Sequence, residues 1–230
     1  VEGSGNLLYR QLPGGGYEEV GIDLGVHQAG WAWGVLMVDV DHDGWEEILS
    51  VQNADTSRSR MYKRNGPRGY AQIAQVCGFD HFLGGRGFVN FDMDNDGDVD
   101  IYVANSMSQA NKLYLNPLNA PSSYLLIRPL SPTSTHTLHG AQVRLTLAGS
   151  ATLVAVRSLD GGSGYCSQNA YDAHFGLAHL SASQKYDVSA RGLGLAKFVT
   201  IATSVSPGQL LLFPPPTREP SQSSSDSPTF

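Results

Sequence analysis

The chain alternates short runs of β-forming residues with glycine-rich or acidic punctuation. Residues 33 to 38 (WGVLMV) and 46 to 52 (EEILSVQ) are rich in apolar and β-branched side chains and flank an acidic turn. Runs of this length bounded by turn residues predict strands. Residues 60 to 64 (RMYKR) and 69 to 75 (GYAQIAQ) read as a hairpin around Asn65-Gly66-Pro67, residue types that favour tight turns. Together the segments make a four-stranded unit with the strand count of a propeller blade.

The unit repeats. Tyr9 and Tyr62, Tyr17 and Tyr70, Gly25 and Gly78, Gly34 and Gly87, and Asp39 and Asp92 are each 53 residues apart. A period near fifty points to propeller blades or a solenoid. In this register NLLYR (6 to 10) and GYEEV (16 to 20) match the last two strands of a unit whose first two are absent. One full unit follows, then at least three strands of another. Two or so units cannot close a ring and leave open sheet edges. The expectation is the C-terminal part of a larger propeller, completed by upstream sequence or by another chain.

After Pro117 the acidic turns stop, and Ser, Thr and small apolar residues take over. YLLIRPL (124 to 130), AQVRLTLA (141 to 148), TLVAVRSL (152 to 159), KYDVSA (185 to 190), KFVTIA (197 to 202) and QLLLF (209 to 213) predict further strands, with turns at Gly149-Ser150 and Gly161-Gly162. A small β-sandwich or barrel is expected. The Pro/Ser-rich segment from Pro214 lacks the apolar residues for a core and reads as a flexible or polyproline tail. The predicted fold class is all-β, a partial β-propeller over residues 1–116 followed by a β domain over 117–213 and a tail over 214–230.

Composition adds exclusions. At 41% apolar and 16% charged, the chain is globular in character, and its 26 glycines suit many tight turns. A net charge of −6 gives no basic face for nucleic acid. No run of eighteen apolar residues suggests a membrane span. Cys77 and Cys166 show no metal-binding spacing, and both a pair and two free thiols are open.

The charge is unevenly placed. Ten of the 21 acidic residues lie in two nine-residue segments, DVDHDGWEE (39 to 47) and DMDNDGDVD (92 to 100). Carboxylates fall at positions 1, 3, 5 and 9: Asp39, Asp41, Asp43 and Glu47, then Asp92, Asp94, Asp96 and Asp100. Calcium takes six to eight oxygens, and alternate residues of a tight loop can supply them together. Gly44 and Gly97, at position 6, permit the sharp turn. The carbonyls of Trp45 and Asp98, at position 7, are further candidate ligands. Two calcium ions would bring the formal charge from −6 to −2. Magnesium, which demands stricter octahedral geometry, suits such loops less. An EF-hand needs a Glu at position 12 and flanking helices, whereas Ser50 and Val103 stand there between β-rich flanks. Two strand–loop–strand calcium sites are therefore expected.

The succession NLLYR, a Gly-rich turn, GWAWG and DVDHDGWEEI resembles the FG-GAP (or VCBS) repeat over residues 6 to about 116. That repeat builds the seven-bladed propeller of integrin α subunits. The resemblance implies calcium ligation by positions 1, 3, 5, 7 and 9. GAQVRLTLAG (140 to 149), GGSGYCSQN (161 to 169) and HFGLA (174 to 178) resemble the ASPIC/UnbV domain, which follows FG-GAP repeats in the cartilage acidic protein family. Gly164 is an added residue there, and RGLGLAKF (191 to 198) replaces the family's Trp-Pro-Ser-Gly turn.

Other candidates are weaker. Ser163, Ser167, Asp172 and His174 cluster in sequence, but Tyr165 breaks the G-x-S-x-G nucleophile pattern. No catalysis is expected, and His174 is expected to pack or hydrogen-bond in a turn. The other histidines show no metal spacing, and His42, at loop position 4, is expected to point outward. Trp31 and Trp33 alternate on one strand and are expected in a blade core. The expected protein is non-enzymatic, extracellular and calcium-binding, serving protein interaction, adhesion or matrix or filament assembly. Its expected partners are other protein chains, upstream blades, matrix or glycans. The alternative is a carbohydrate-binding or carbohydrate-active propeller protein.

Overall fold

The computed structural model describes residues 5–28, 30–53, 58–66, 69–106, 108–130, 139–160, 162, 164–192 and 197–213. The tail from Pro214 and candidate Ser163 lie outside them. The architecture is all-β, and helices are absent among the described residues. β1 (Tyr9–Gln11) pairs antiparallel with β2 (Tyr17–Glu19). β3 (Ala32–Val38), β4 (Glu47–Gln52), β5 (Arg60–Arg64) and β6 (Tyr70–Gln72) form a four-stranded meander. β7 (Gly85–Phe91), β8 (Asp100–Asn105) and β9 (Lys112–Tyr114) form a three-stranded one. The sheet order thus recurs, with a step of 53 from β4 to β8 and of 52 from β5 to β9. Ile48 pairs with Tyr62 in the first meander as Ile101 pairs with Tyr114 in the second.

Alternation explains how the meanders meet. Along β3, Leu36 and Val38 turn inward while Val35 and Met37 turn out. Leu49 and Val51 of β4 and Val103 of β8 are fully buried. With Met61, Phe88 and Ile101 they form one core between the two sheets. Burying each such side chain contributes about 1.5–3 kcal/mol.

In the second half, β11 (Gln142–Leu147), β12 (Leu153–Ser158), β14 (Tyr186–Arg191) and β15 (Val199–Val205) make an antiparallel sheet in the order β12-β11-β14-β15. β10 (Tyr124–Pro129) is flanked by β13 (Ala173–Gly176), antiparallel, and β16 (Gln209–Phe213), parallel. Leu125, Ile127 and Phe175 of the smaller sheet share a core with Val143, Leu145, Tyr186 and Val188 of the larger. Two facing sheets over one core are a sandwich. None of the described sheets closes on itself.

Two expectations fail here. β13 lies where the sequence reads as a turn. His and Gly are weak strand formers, and the segment becomes a strand because Tyr124 to Ile127 supply its ladder. Trp31 is 69% exposed, so it is outside any core. It precedes β3 at the sheet margin and stacks on Trp33, their ring centroids 5.8 Å apart. Cys77 and Cys166 are free, exposed thiols.

The two halves touch at glycines. Gly97 has φ +93°, and a Cβ there would overlap the Tyr124 ring of β10. Gly149 has φ +69° with open space around it. Both replacements by alanine incur left-handed strain, of about 1–2 kcal/mol, but only Gly97→Ala must also displace a packed ring. Thermal melts should therefore show a clearly larger loss for Gly97→Ala than for Gly149→Ala. Equal losses would mean that the Tyr124 contact is unimportant.

Candidate metal centre

The acidic segments connect β3 to β4 and β7 to β8, and they fold alike. The position-6 amides of Gly44 and Gly97 donate to Asp39 Oδ2 (2.9 Å) and Asp92 Oδ2 (3.0 Å). The position-7 amides of Trp45 and Asp98 donate to Asp43 Oδ1 and Asp96 Oδ1, both at 2.9 Å. The position-2 amides of Val40 and Met93 donate to Glu47 Oε2 (3.0 Å) and Asp100 Oδ2 (2.8 Å). Position 4 takes positive φ in both, 59° at His42 and 62° at Asn95, as does the glycine at position 6. These bonds curl each loop so that its odd-numbered carboxylates converge. One carboxylate oxygen from each of Asp39, Asp41 and Asp43 lies within 4.8 Å of the others, and the same holds for Asp92, Asp94 and Asp96.

The remaining candidates are placed differently in the two loops. Glu47 is fully buried, and its Oε1 has no hydrogen-bond partner. Asp100 has both oxygens engaged, by the amides of Met93 and Asn116. Trp45 is 54% exposed, with the Arg64 guanidinium 3.8 Å above its ring. Asp98 is turned into the seam and accepts from the Asn119 amide at 2.7 Å. Asn116 also reaches the first loop, its Nδ2 donating to Val40 O at 2.7 Å. One residue, through its backbone amide and its side chain, thus ties both loops together.

The first loop meets the test of a cation site. Asp39 Oδ1, Asp41 Oδ1 and Glu47 Oε1 are buried without hydrogen-bond partners. Burial raises Asp39 to about 7, against the pull of the Gly44 amide, with Asp43 adding repulsion. Burial likewise raises Glu47 to about 8. Buried, unpaired carboxylates are costly unless neutralised. A hard cation with oxygen-only ligands fits this donor set. In the second loop burial raises Asp92 and Asp98 too.

Sequence reasoning missed Lys63. Its Nζ donates to Asp41 and Asp43 Oδ2, the latter at 2.6 Å, and lies 3.9 Å from Glu47 Oε1. Burial opposes its charge, but the Asp41 and Asp43 carboxylates outweigh this and hold the ammonium above its ordinary range. Among the described residues no ion pair reaches Asp92, Asp94 or Asp96.

His42 points inward, against expectation. It is fully buried, enclosed by Ser123, Tyr124, His174 and Ala178 of the second half, whereas Asn95, with a like φ, is exposed. Its Nδ1 is 2.7 Å from Ser123 Oγ, and its Nε2 is 3.7 Å from Asp98 Oδ1. The Ala178 amide donates to its carbonyl at 2.7 Å. His174 packs 4.8 Å from it, centroid to centroid, and its Nε2 contacts Gly97 O at 3.2 Å. Ser123, His42 and Asp98 form a Ser-His-Asp set in outline. The imidazole and carboxylate are wholly buried, and Ser123 Oγ donates to Ala120 O at 2.8 Å. The set couples the halves and leaves no approach to the ring. Of the residues clustered in sequence, Asp172 is held by Arg128 at 2.7 and 2.6 Å.

Against known proteins, the family described as "ASPIC and UnbV" matches residues 132–189. No curated protein matches the chain. Among solved structures the chain is similar to one titled "Biofilm associated protein - BSP domain", at 9% identity and a TM-score of 0.21. That overlap covers 81% of this chain and 30% of the other. The chain thus spans under a third of that structure's length, and such a TM-score does not define a shared fold.

Acid acts on the seam in two opposing ways: the raised carboxyls of Asp39 and Glu47 favour the folded chain as pH falls, whereas the buried imidazoles disfavour it. Burial lowers His42 to about 4 and His174 to about 3. Both therefore stay neutral in the folded chain at pH values where the unfolded chain protonates them. Below the ordinary value of 6.5 the unfolded state binds more protons at these two rings, so their contribution to stability falls as pH falls. Each ring contributes a slope of about 1.4 kcal/mol per pH unit within that window. Melting should drop less between pH 7 and pH 5 in His174→Phe than in the parent chain. Carboxylates act equally in both proteins, so an unchanged drop would remove His174 from the account.

Proposed function

We propose that this chain is a non-enzymatic, extracellular, calcium-binding β-protein whose first half is a stretch of FG-GAP-like propeller blades. It serves protein interaction, adhesion or matrix assembly. One observation carries the proposal: two loops 53 residues apart make the same three backbone-to-carboxylate bonds and converge their aspartates alike. Bound calcium would supply a divalent counter-charge bridging the first two strands of each meander. Asp39, Asp41, Asp43, Glu47 and the Trp45 carbonyl would hold one ion. Asp92, Asp94, Asp96, Asp100 and the Asp98 carbonyl would hold the other. The loops lie against β10, β13 and the turn after it, so filling them would also brace the sandwich. The match to ASPIC and UnbV supports the assignment of the second half.

Extracellular calcium modules bind at about 10⁻⁴ to 10⁻³ M. Where free calcium is ten times Kd, each site adds about 1.4 kcal/mol. Calcium should raise the melting temperature and protease resistance of the chelator-stripped chain, and Asp41→Asn with Asp94→Asn should abolish the rise. Indifference to millimolar calcium would end the proposal.

A glycan-binding reading draws on a separate feature. Trp31 is exposed beside Trp33, and Tyr165 meets Trp33 edge-on with centroids 5.1 Å apart. Arg86 lies 3.9 Å over the Trp33 ring, whose Nε1 is buried without a partner. Exposed aromatic faces of this kind can take sugar rings by stacking. Any glycan-array binding should be lost in Trp31→Ala with stability unchanged. An array without signal would dispose of this reading.

A further inference from the structure

Resting on the calcium reading, we propose that Lys63 is a tethered counter-ion of the first loop, so that the two sites load unequally. The second loop binds calcium first, and the first binds it only by displacing the ammonium.

The register places Lys63 there. Tyr62 of β5 faces Ile48 of β4, so Lys63 stands one step on, beside Glu47. Alternation puts it on the face that carries buried Met61, and the side chain runs to the mouth of the loop. Its Nζ meets Asp41, Asp43 and Glu47, three of the four carboxylates assigned to the ion. A lysine head is a compact point charge with three donors. Calcium would need the same oxygens at 2.3–2.6 Å. Two like charges cannot share so small a space, so one must leave.

The second meander provides the internal comparison. Tyr114 of β9 faces Ile101, and one step on stands Leu115 beside Asp100. Leu115 is 57% exposed and carries no charge. The Asn116 amide donates to Asp100 Oδ1, and among the described residues no ammonium or guanidinium pairs with Asp92, Asp94 or Asp96. The loops therefore differ in the cation they already hold, although their backbones match.

The test is calorimetric calcium titration of the full, chelator-stripped chain, with terbium luminescence excited through tryptophan. Trp45 is within the first loop, so sensitised emission reports that loop. The parent chain should bind in two steps, with emission following the weaker one. Lys63→Met should tighten the weaker step by about tenfold or more and leave the other unchanged. Asp96→Asn should remove the tight step only, which keeps the assignment testable if Lys63→Met fails to fold. Emission that follows the tight step, or a weak step unmoved by Lys63→Met, would overturn the role of Lys63 while calcium binding stands. Absence of any calcium binding in the parent chain and both variants would overturn the calcium reading and this inference with it.

Discussion

The structure depends on how its crowded carboxylates are neutralised. Two acidic loops meet a second β unit along one seam, and Asp39, Glu47, Asp98 and Asp100 are almost wholly buried there. Charges removed from water are costly unless paired or hydrogen-bonded. Backbone amides answer part of that cost by capping positions 1, 5 and 9 of each loop. Lys63 answers more of it in the first loop. The oxygens left over converge, and that residue of unmet charge is what gives the seam its chemistry.

The seam also explains the glycines of the acidic motif. Position 6 requires a left-handed backbone, and it also requires that nothing project from it. A Cβ on Gly44 would collide with the His179 ring, and one on Gly97 with Tyr124. Gly176, from the other side, would drive a Cβ into Asp39 Oδ2. The loops are thus shaped by the sandwich as much as by their own turns. His42 belongs to the same contact: it stands at position 4, expected to face outward, yet it is fully buried against the second half.

Much of this was legible in the sequence. Segments 60 to 64 and 209 to 213 coincide with β5 and β16, because apolar alternation and turn residues act locally. The convergence of Asp39, Asp41 and Asp43, and of their counterparts, follows from spacing within one tight loop. What escaped were contacts made across the fold. Lys63 reaches the first loop through strand register, and nothing in RMYKR marks one lysine for that role. Alternation places Trp31 and Trp33 on one side of a strand, but it does not say whether anything covers that side. β13 exists because β10 offers it a ladder, and its own four residues do not ask for one.

The parallel pairing of β10 with β16 has a consequence for the order of assembly. β10 carries Tyr124 at the seam, and its outer neighbour is Gln209–Phe213. The intervening chain must fold and return before that edge is sealed, a contact of long sequence separation of the kind that slows folding. During synthesis from the N-terminus, the meanders emerge and pair locally while the seam strand waits with one side unladdered. The acidic loops are therefore complete as turns well before they are enclosed. Burial of their charge follows only when β10, β13 and the turn after it pack against them.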